Sequence, residues 1–202
     1  RRNEGIINRL LSSSGLASTT LRELSAQDGL QYLRERQRAG AKDGTIRREW
    51  TVLMAILNCA VAYDLLDKNR LKVVNPPQGQ RRTRIATVEE IRLLHDQGDP
   101  DIWNIVTMAL MTPLRQGMIL KFDSSWLAKQ DDGWWAILPP ARSATKGHPP
   151  KVPLNGMVTH VVLGKIGRIF TRWTYAESFR HSFTRACQRL GIVDLHFHDL
   201  RH

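Results

Sequence analysis

The residues of this 202-residue chain that could do chemistry lie in short stretches of distinctive composition. One is Thr112-Pro113-Leu114-Arg115-Gln116-Gly117-Met118, with a single arginine. Another is Ala144-Thr145-Lys146-Gly147, a turn-like segment with a single lysine and Val152-Pro153-Leu154 just after it. A third is His196-Phe197-His198-Asp199-Leu200-Arg201-His202, reached through Leu190-Gly191-Ile192. A guanidinium presents a planar fork that can hold two oxygens of one phosphate and stays charged at any working pH. His198 and Arg201 are three apart, so on a helix they share a face. An imidazole can hydrogen-bond a phosphate or relay a proton, and a lysine on a turn can protonate a leaving oxygen. The joint chemistry is stabilisation of negative charge on a phosphoryl group.

Taken singly, each of these residues has an ordinary reading. Arg115 alone would be a surface or salt-bridged arginine, and Lys146 alone a turn lysine. His196, His198 and His202 could hold a metal, but no cysteine supports them, and the intervening Leu-Arg breaks the pattern. Trp134-Trp135 reads as sheet packing rather than a base-stacking platform. The joint order and spacing of the stretches outweigh these separate readings.

The elements that must position these residues are mostly helices. Ile6, Ile7, Leu10 and Leu11 form an apolar stripe that stops at Ser12-Ser13-Ser14-Gly15. Ser25-Ala26-Gln27-Asp28 opens a helix that ends near Gly40. From Asp43 or Thr45 a long helix carries Ile46, Trp50, Leu53, Leu57 and Val61 at helical spacing and fades near Leu66. Pro76-Pro77 and the basic run Arg81-Arg82-Thr83-Arg84 cannot continue it. Thr87-Val88-Glu89-Glu90 is a capping box that restarts helical structure, and Asp99-Pro100 starts another helix. Short strands are expected at Trp126-Leu127, Trp134 to Leu138 and Lys151 to Leu154, with a turn at Asp131-Asp132-Gly133. A helix over about 174–190 follows, with Tyr175 as its core-facing aromatic. The fold class is therefore mainly α with a small antiparallel β-sheet (α+β). Its domains are a helical one over 1–78, a basic linker over 79–86 and a mixed one over 87–202.

Charge points to the partner. The net charge is +11, and residues 1–86 hold 16 Lys/Arg against 8 Asp/Glu, while residues 87–202 hold 14 against 11. Such an excess implies a polyanion, most commonly nucleic acid, with the first part as the stronger electrostatic grip. The apolar runs are too short to span a bilayer and no secretory signal opens the chain, so a soluble, intracellular protein is expected. Cys59 and Cys187 lie in helical segments as small buried hydrophobes, and neither belongs to a C-x-x-C pair.

In order and spacing these stretches, with Thr45-Ile46-Arg47-Arg48-Glu49 in the first part, resemble the tyrosine recombinase (phage integrase) family. Arg115 falls on the family's first catalytic arginine, in a T-G-x-R-x-x-E-I-like stretch. Lys146 falls on its catalytic lysine, in a sheet turn followed by V-P-L, whereas Lys151 matches only the basic strand position after it. His198 and Arg201 fall on the His and Arg of its H-x-L-R-H box. The resemblance implies a helical core-binding (SAM-like) domain and a catalytic domain that cuts and rejoins DNA through a 3′-phosphotyrosyl link, without cofactor or metal. It implies DNA contacts from Lys42, Thr45 and Arg48 in the first domain and from Arg81, Arg82 and Arg84 in the linker. The two domains would grip opposite faces of the duplex, with four copies assembling on double-stranded DNA in a bacterial or phage-encoded, cytoplasmic and nucleoid-associated setting.

The sequence departs from the family pattern at two positions: Pro113 stands where a Gly is usual, and Met118 where a Glu is usual. The family's nucleophilic tyrosine follows the H-x-L-R-H box. Tyr32, Tyr63 and Tyr175 all precede it, so none is assigned that role, the catalytic domain is read as incomplete at its C-terminus, and residues 1–202 alone are expected to be inactive. Two other readings are a non-catalytic DNA-binding protein descended from a recombinase, and a helical protein-interaction module whose basicity is incidental.

Overall fold

The computed structural model describes residues 3–80, 82–139 and 150–201, with Ser14 described by its backbone alone. The chain divides into two compact units, residues 1–82 and 83–202.

The first unit is helical. α1 (Glu4–Leu11) and the short α2 (Ser14–Ala17) lead to α3 (Ala26–Arg38) and α4 (Asp43–Ala62), and a 3₁₀ turn follows at Arg70–Val73. The serine run expected to stop the first helix does so, but a further helical turn forms at once on its far side. At the start of α3 the Asp28 carboxylate accepts from the Ser25 backbone N–H at 2.8 Å, which fixes the first turn. α4 ends at Ala62, earlier than the apolar periodicity suggests, where Asp64 takes a left-handed conformation at φ 56°. Leu10, Leu24, Leu33, Ile46, Trp50, Leu53, Leu57 and Leu71 close the core. Cys59, expected inside, faces out on α4.

A charged residue lies inside this core. Glu49 on α4 is only 1% exposed. Its carboxylate accepts from Arg9 Nη1 of α1 at 2.6 Å, and from Tyr32 Oη and Arg36 Nε of α3 at 2.9 and 2.8 Å. Burial by itself would raise the Glu49 pKa. The bonds from Arg36, Arg9 and Tyr32 outweigh that and hold it below the ordinary carboxylate value. Burial and the carboxylate together push the Tyr32 phenol up. One side chain thus joins three helices.

The second unit wraps helices around a small sheet. α5 (Val88–Asp96) begins with the expected capping box: Thr87 Oγ1 accepts from Glu90 N–H, and Glu90 accepts from Thr87 N–H. α6 (Pro100–Met111) begins with Asp99 accepting from the N–H groups of Asp101 and Ile102. α7 (Gln116–Ile119) and a 3₁₀ turn (Ser124–Trp126) precede β1 (Leu127–Gln130), β2 (Gly133–Ile137) and β3 (Lys151–Leu154), an antiparallel sheet in the order β1-β2-β3. Leu127 pairs with Ala136, and Ala136 pairs with Val152. Trp134 packs on the core. Trp135, on the other face, carries Lys151 Nζ 4.1 Å above its ring. α8 (Gly156–Val162), α9 (Ala176–Arg189) and a 3₁₀ turn (Phe197–Arg201) complete the unit. α6 is its strut, packing against both α8 and the last 3₁₀ turn.

α8 has no counterpart among the sequence-based expectations. Its β-branched composition argues against a helix, yet Val158, Val161 and Val162 are all buried, at spacings that put them on one face. Tyr175, expected to face the core, is instead 73% exposed at the N-cap of α9, and Phe179 supplies the buried aromatic.

Candidate active site

Arg115 stands immediately before α7, in an extended conformation, with its carbonyl accepting from Met118 and Ile119 N–H. Leu114 and Ile119 on either side are wholly buried, which leaves the Arg115 side chain facing outward. The turn that delivers it is built by Thr112, a buried residue whose hydroxyl donates to the Met108 carbonyl at the end of α6 and accepts from Leu114 N–H. Gln116 Nε2 donates to the Ala176 carbonyl at 2.9 Å, tying α7 to the start of α9.

His198 and Arg201 lie in the last 3₁₀ turn, where residues three apart are eclipsed. Phe197 is the wedge that fixes it, with its ring edge-on to Phe179 at 5.0 Å and to Phe183 at 5.4 Å. Leu195 and Leu200 are buried as well. Asp199, only 2% exposed, accepts from His196 N–H at 2.8 Å and so caps the turn. With positions 195, 197 and 199 pointing inward in this way, His198 is exposed to solvent.

The structure brings Arg115 and Arg201 together. Arg201 Nη2 donates to the Pro113 carbonyl at 2.6 Å, two residues before Arg115. Burial first, and then the Arg115 charge, push the Arg201 pKa below the ordinary arginine value. A guanidinium stays charged at neutral pH. Among the described residues no carboxylate forms an ion pair with Arg201. A partly desolvated guanidinium with a second cation near enough to act on it makes a place where an anion is favoured. Sequence reasoning passed over the Pro113 carbonyl, because a backbone acceptor leaves no signal in residue type. Met118, at the position where a carboxylate is usual, is 9% exposed and belongs to the apolar core. Lys146 lies outside the described residues, as do Arg81 and His202. Among the described residues no three His, Cys, Asp or Glu side chains are placed to hold a metal.

In the first unit, Lys42, Thr45 and Arg48 are all exposed at the start of α4, three residues apart and therefore on one face. The approach to the linker is seated beside them. A Cβ on Gly79 would lie 3.0 Å from the backbone of Gly44. Arg82, also exposed, follows shortly after.

Arg84 is one of the linker cations expected to contact DNA, and its guanidinium is engaged within the second unit. Nη1 donates to the Ile85 carbonyl at 2.8 Å and to Glu90 Oε2 at 3.1 Å. Nη2 donates to Glu90 Oε1 and, at 3.0 Å, to the Val193 carbonyl. Glu90 raises the Arg84 pKa, and Arg84 in turn is the main cause holding the Glu90 carboxyl low.

No family model matches the chain. Over 167 residues it is 32% identical to the shufflon-specific DNA recombinase of Escherichia coli, a match that takes in 78% of this chain and 42% of that protein. The chain thus spans about two-fifths of the length of that curated relative. In solved structures, the Tn1549 transposon integrase in complex with circular intermediate DNA superposes with a TM-score of 0.72 at 16% identity, covering 100% of this chain and 77% of that one. A lambda integrase dimer bound to a COC′ core site superposes with a TM-score of 0.70 at 14% identity, covering 98% and 59%. No helix among the described residues is long and apolar enough to cross a membrane. A recombinase relative aligned along most of the sequence, and a fold shared with integrases, both support the tyrosine recombinase resemblance read from the sequence.

Proposed function

We propose that this chain is the DNA-gripping and phosphate-activating part of a site-specific recombinase that breaks and rejoins strands through a 3′-phosphotyrosyl intermediate. The observation that carries the proposal is the bond from Arg201 to the Pro113 carbonyl, two residues before Arg115, with the Arg115 charge near enough to lower the Arg201 pKa. In the step proposed, a tyrosine oxygen attacks the scissile phosphorus, the bond to the 5′-oxygen breaks, and that oxygen leaves with a proton. The phosphorane-like transition state gathers charge on its non-bridging oxygens, and two guanidinium forks meet that charge. His198, exposed beside Arg201, would hydrogen-bond the phosphate or assist proton loss from the tyrosine. Lys146, from the connection between β2 and β3, would protonate the 5′-oxygen.

Lys42, Thr45, Arg48, Arg81 and Arg82 would contact DNA phosphates, with Arg84 set aside because its donors are engaged. Assembly of four copies on the DNA, at the nucleoid of a bacterial cytoplasm, belongs to the same proposal. The apolar Met118 favours a second reading, a DNA-binding descendant that no longer cleaves.

The test is a nicked suicide substrate offered to the full-length protein and to residues 1–202. The full-length protein is expected to form a covalent protein–DNA adduct, and residues 1–202 none. Tyr32 is buried against Glu49, Tyr63 lies in the first unit, and Tyr175 is exposed at the start of α9. No adduct from the full-length protein, with DNA binding intact, would leave the second reading. An adduct on Tyr175 in residues 1–202 would overturn the assignment of the nucleophile. Residues 1–202 are also expected to bind duplex DNA with a log–log salt slope of roughly −4 or steeper, at about −0.9 for each phosphate neutralised. Folded protein that fails to bind at low salt would remove DNA as the partner.

A further inference from the structure

We propose that Arg84 is a positioning residue that ties the entrance of the second unit to the loop presenting His198 and Arg201, and that it acts without touching DNA. This rests on the recombinase reading above. The second unit begins at Thr83, so Arg84 is its second residue. Four of its five N–H donors are used inside the unit, on Ile85, Glu90 and Val193. The contact with Val193 joins residues 109 apart in sequence.

The loop that receives this contact is short and strained. It leaves α9 through Gly191 at φ 71°, with Ile192 N–H bonded back to the Cys187 carbonyl. It then passes through Asp194, a non-glycine residue at φ 52°. Two residues later, His196 N–H is held by Asp199 and the 3₁₀ turn begins. Ile192 and Leu195 are buried, whereas Val193 between them is 77% exposed. The loop therefore has two apolar anchors and, at Val193 between them, a polar tie to Arg84. Glu90 holds the other end of the tie. Its carboxylate serves both the Thr87 cap of α5 and the Arg84 guanidinium, so the linker exit, the start of α5 and the loop form one hydrogen-bonded unit.

Release of the Val193 carbonyl would free the strained loop to shift, and His198 and Arg201 would move with it. Misplacement of catalytic groups by about 1 Å costs roughly 100-fold in rate. The experiment compares wild-type full-length protein with Arg84→Gln, Arg84→Lys and Glu90→Gln. It measures cleavage of a suicide substrate at saturating protein, the salt slope of DNA binding, and amide hydrogen exchange over residues 191–201 without DNA. Arg84→Gln is expected to slow cleavage about 10- to 100-fold, to leave the salt slope unchanged and to speed exchange over 191–196. Glu90→Gln should do the same more weakly. Arg84→Lys, which keeps the ion pair but cannot reach both Glu90 oxygens and Val193, should fall between.

A salt slope lower by about 0.9, with unchanged cleavage at saturation, would make Arg84 a phosphate contact and overturn the proposal. Unchanged exchange over 191–201 would overturn it as well. If wild-type protein does not cleave, the recombinase reading falls, and the exchange and salt slope still decide whether Arg84 holds the loop or touches DNA.

Discussion

Replacing Arg201 by alanine in the full-length protein is expected to slow strand cleavage by about 1,000-fold while leaving DNA affinity within a few-fold of wild type. The first number follows from what one charge-stabilising donor contributes in an enclosed site, about 100- to 1,000-fold, with a bidentate cation at the upper end. The second follows because many phosphates share the binding energy and Arg201 touches at most one of them. Arg201→Lys should recover little. An ammonium cannot hold the Pro113 carbonyl and two phosphate oxygens together, as a guanidinium does. Thermal stability provides the control. Arg201 is partly buried beside the like charge of Arg115, so its removal relieves repulsion, and the melting temperature should be unchanged or raised. Rapid-quench cleavage at saturating protein and a binding titration separate the effects. A variant that cleaves normally once saturated would show that Arg201 only binds DNA.

The largest effect on stability is expected at Glu49. Glu49→Ala should cost about 3 kcal/mol, at the lower end of the range for breaking a buried charge pair, because Arg9 is half exposed and can rehydrate. Arg36 and Tyr32 are less free, and the alanine would leave their donors facing an empty carboxylate site. For a unit of this size the loss corresponds to a fall in melting temperature of more than about 10 °C, confined to the transition of the first unit. Glu49→Gln keeps the shape but not the charge, and should fall between alanine and wild type.

The same network gives a sign for pH. The Glu49 pKa is lowered in the folded state, so its contribution is complete above the unfolded glutamate value of about 4.3 and is lost as pH falls through the folded value. Acid melts of wild type and Glu49→Gln should therefore converge at low pH. A Glu49→Ala variant that melts within about 3 °C of wild type would show that the network is replaceable.

Local signals in the sequence were read correctly because their physics is local. The Thr87–Glu90 box and the Asp99-Pro100 start involve atoms within one helical turn. The sheet was legible from the turn at Asp131-Asp132-Gly133 and the β-prone run Trp134 to Leu138 after it. α8 was not, since its valines favour a strand in isolation and only packing selects the helix. Tyr175 and Cys59 were placed inside because aromatic and thiol side chains are usually buried. Which face of a helix meets the core near its ends, however, depends on what packs there.

The residue types and order of the site stretches belong to the sequence by itself: Arg115, Lys146, His198 and Arg201 stand out by chemistry and spacing, and with the charge of +11 they point to phosphate and to DNA. What each arginine does was decided only by tertiary structure. Arg84 reads as one more linker cation until its partners appear, one of them 109 residues away. Arg201 meets the Pro113 carbonyl across 88 residues. The physical reason is that a guanidinium has five donors and no intrinsic preference between phosphate, carboxylate and backbone carbonyl. The choice is made by whichever acceptors the fold holds within reach.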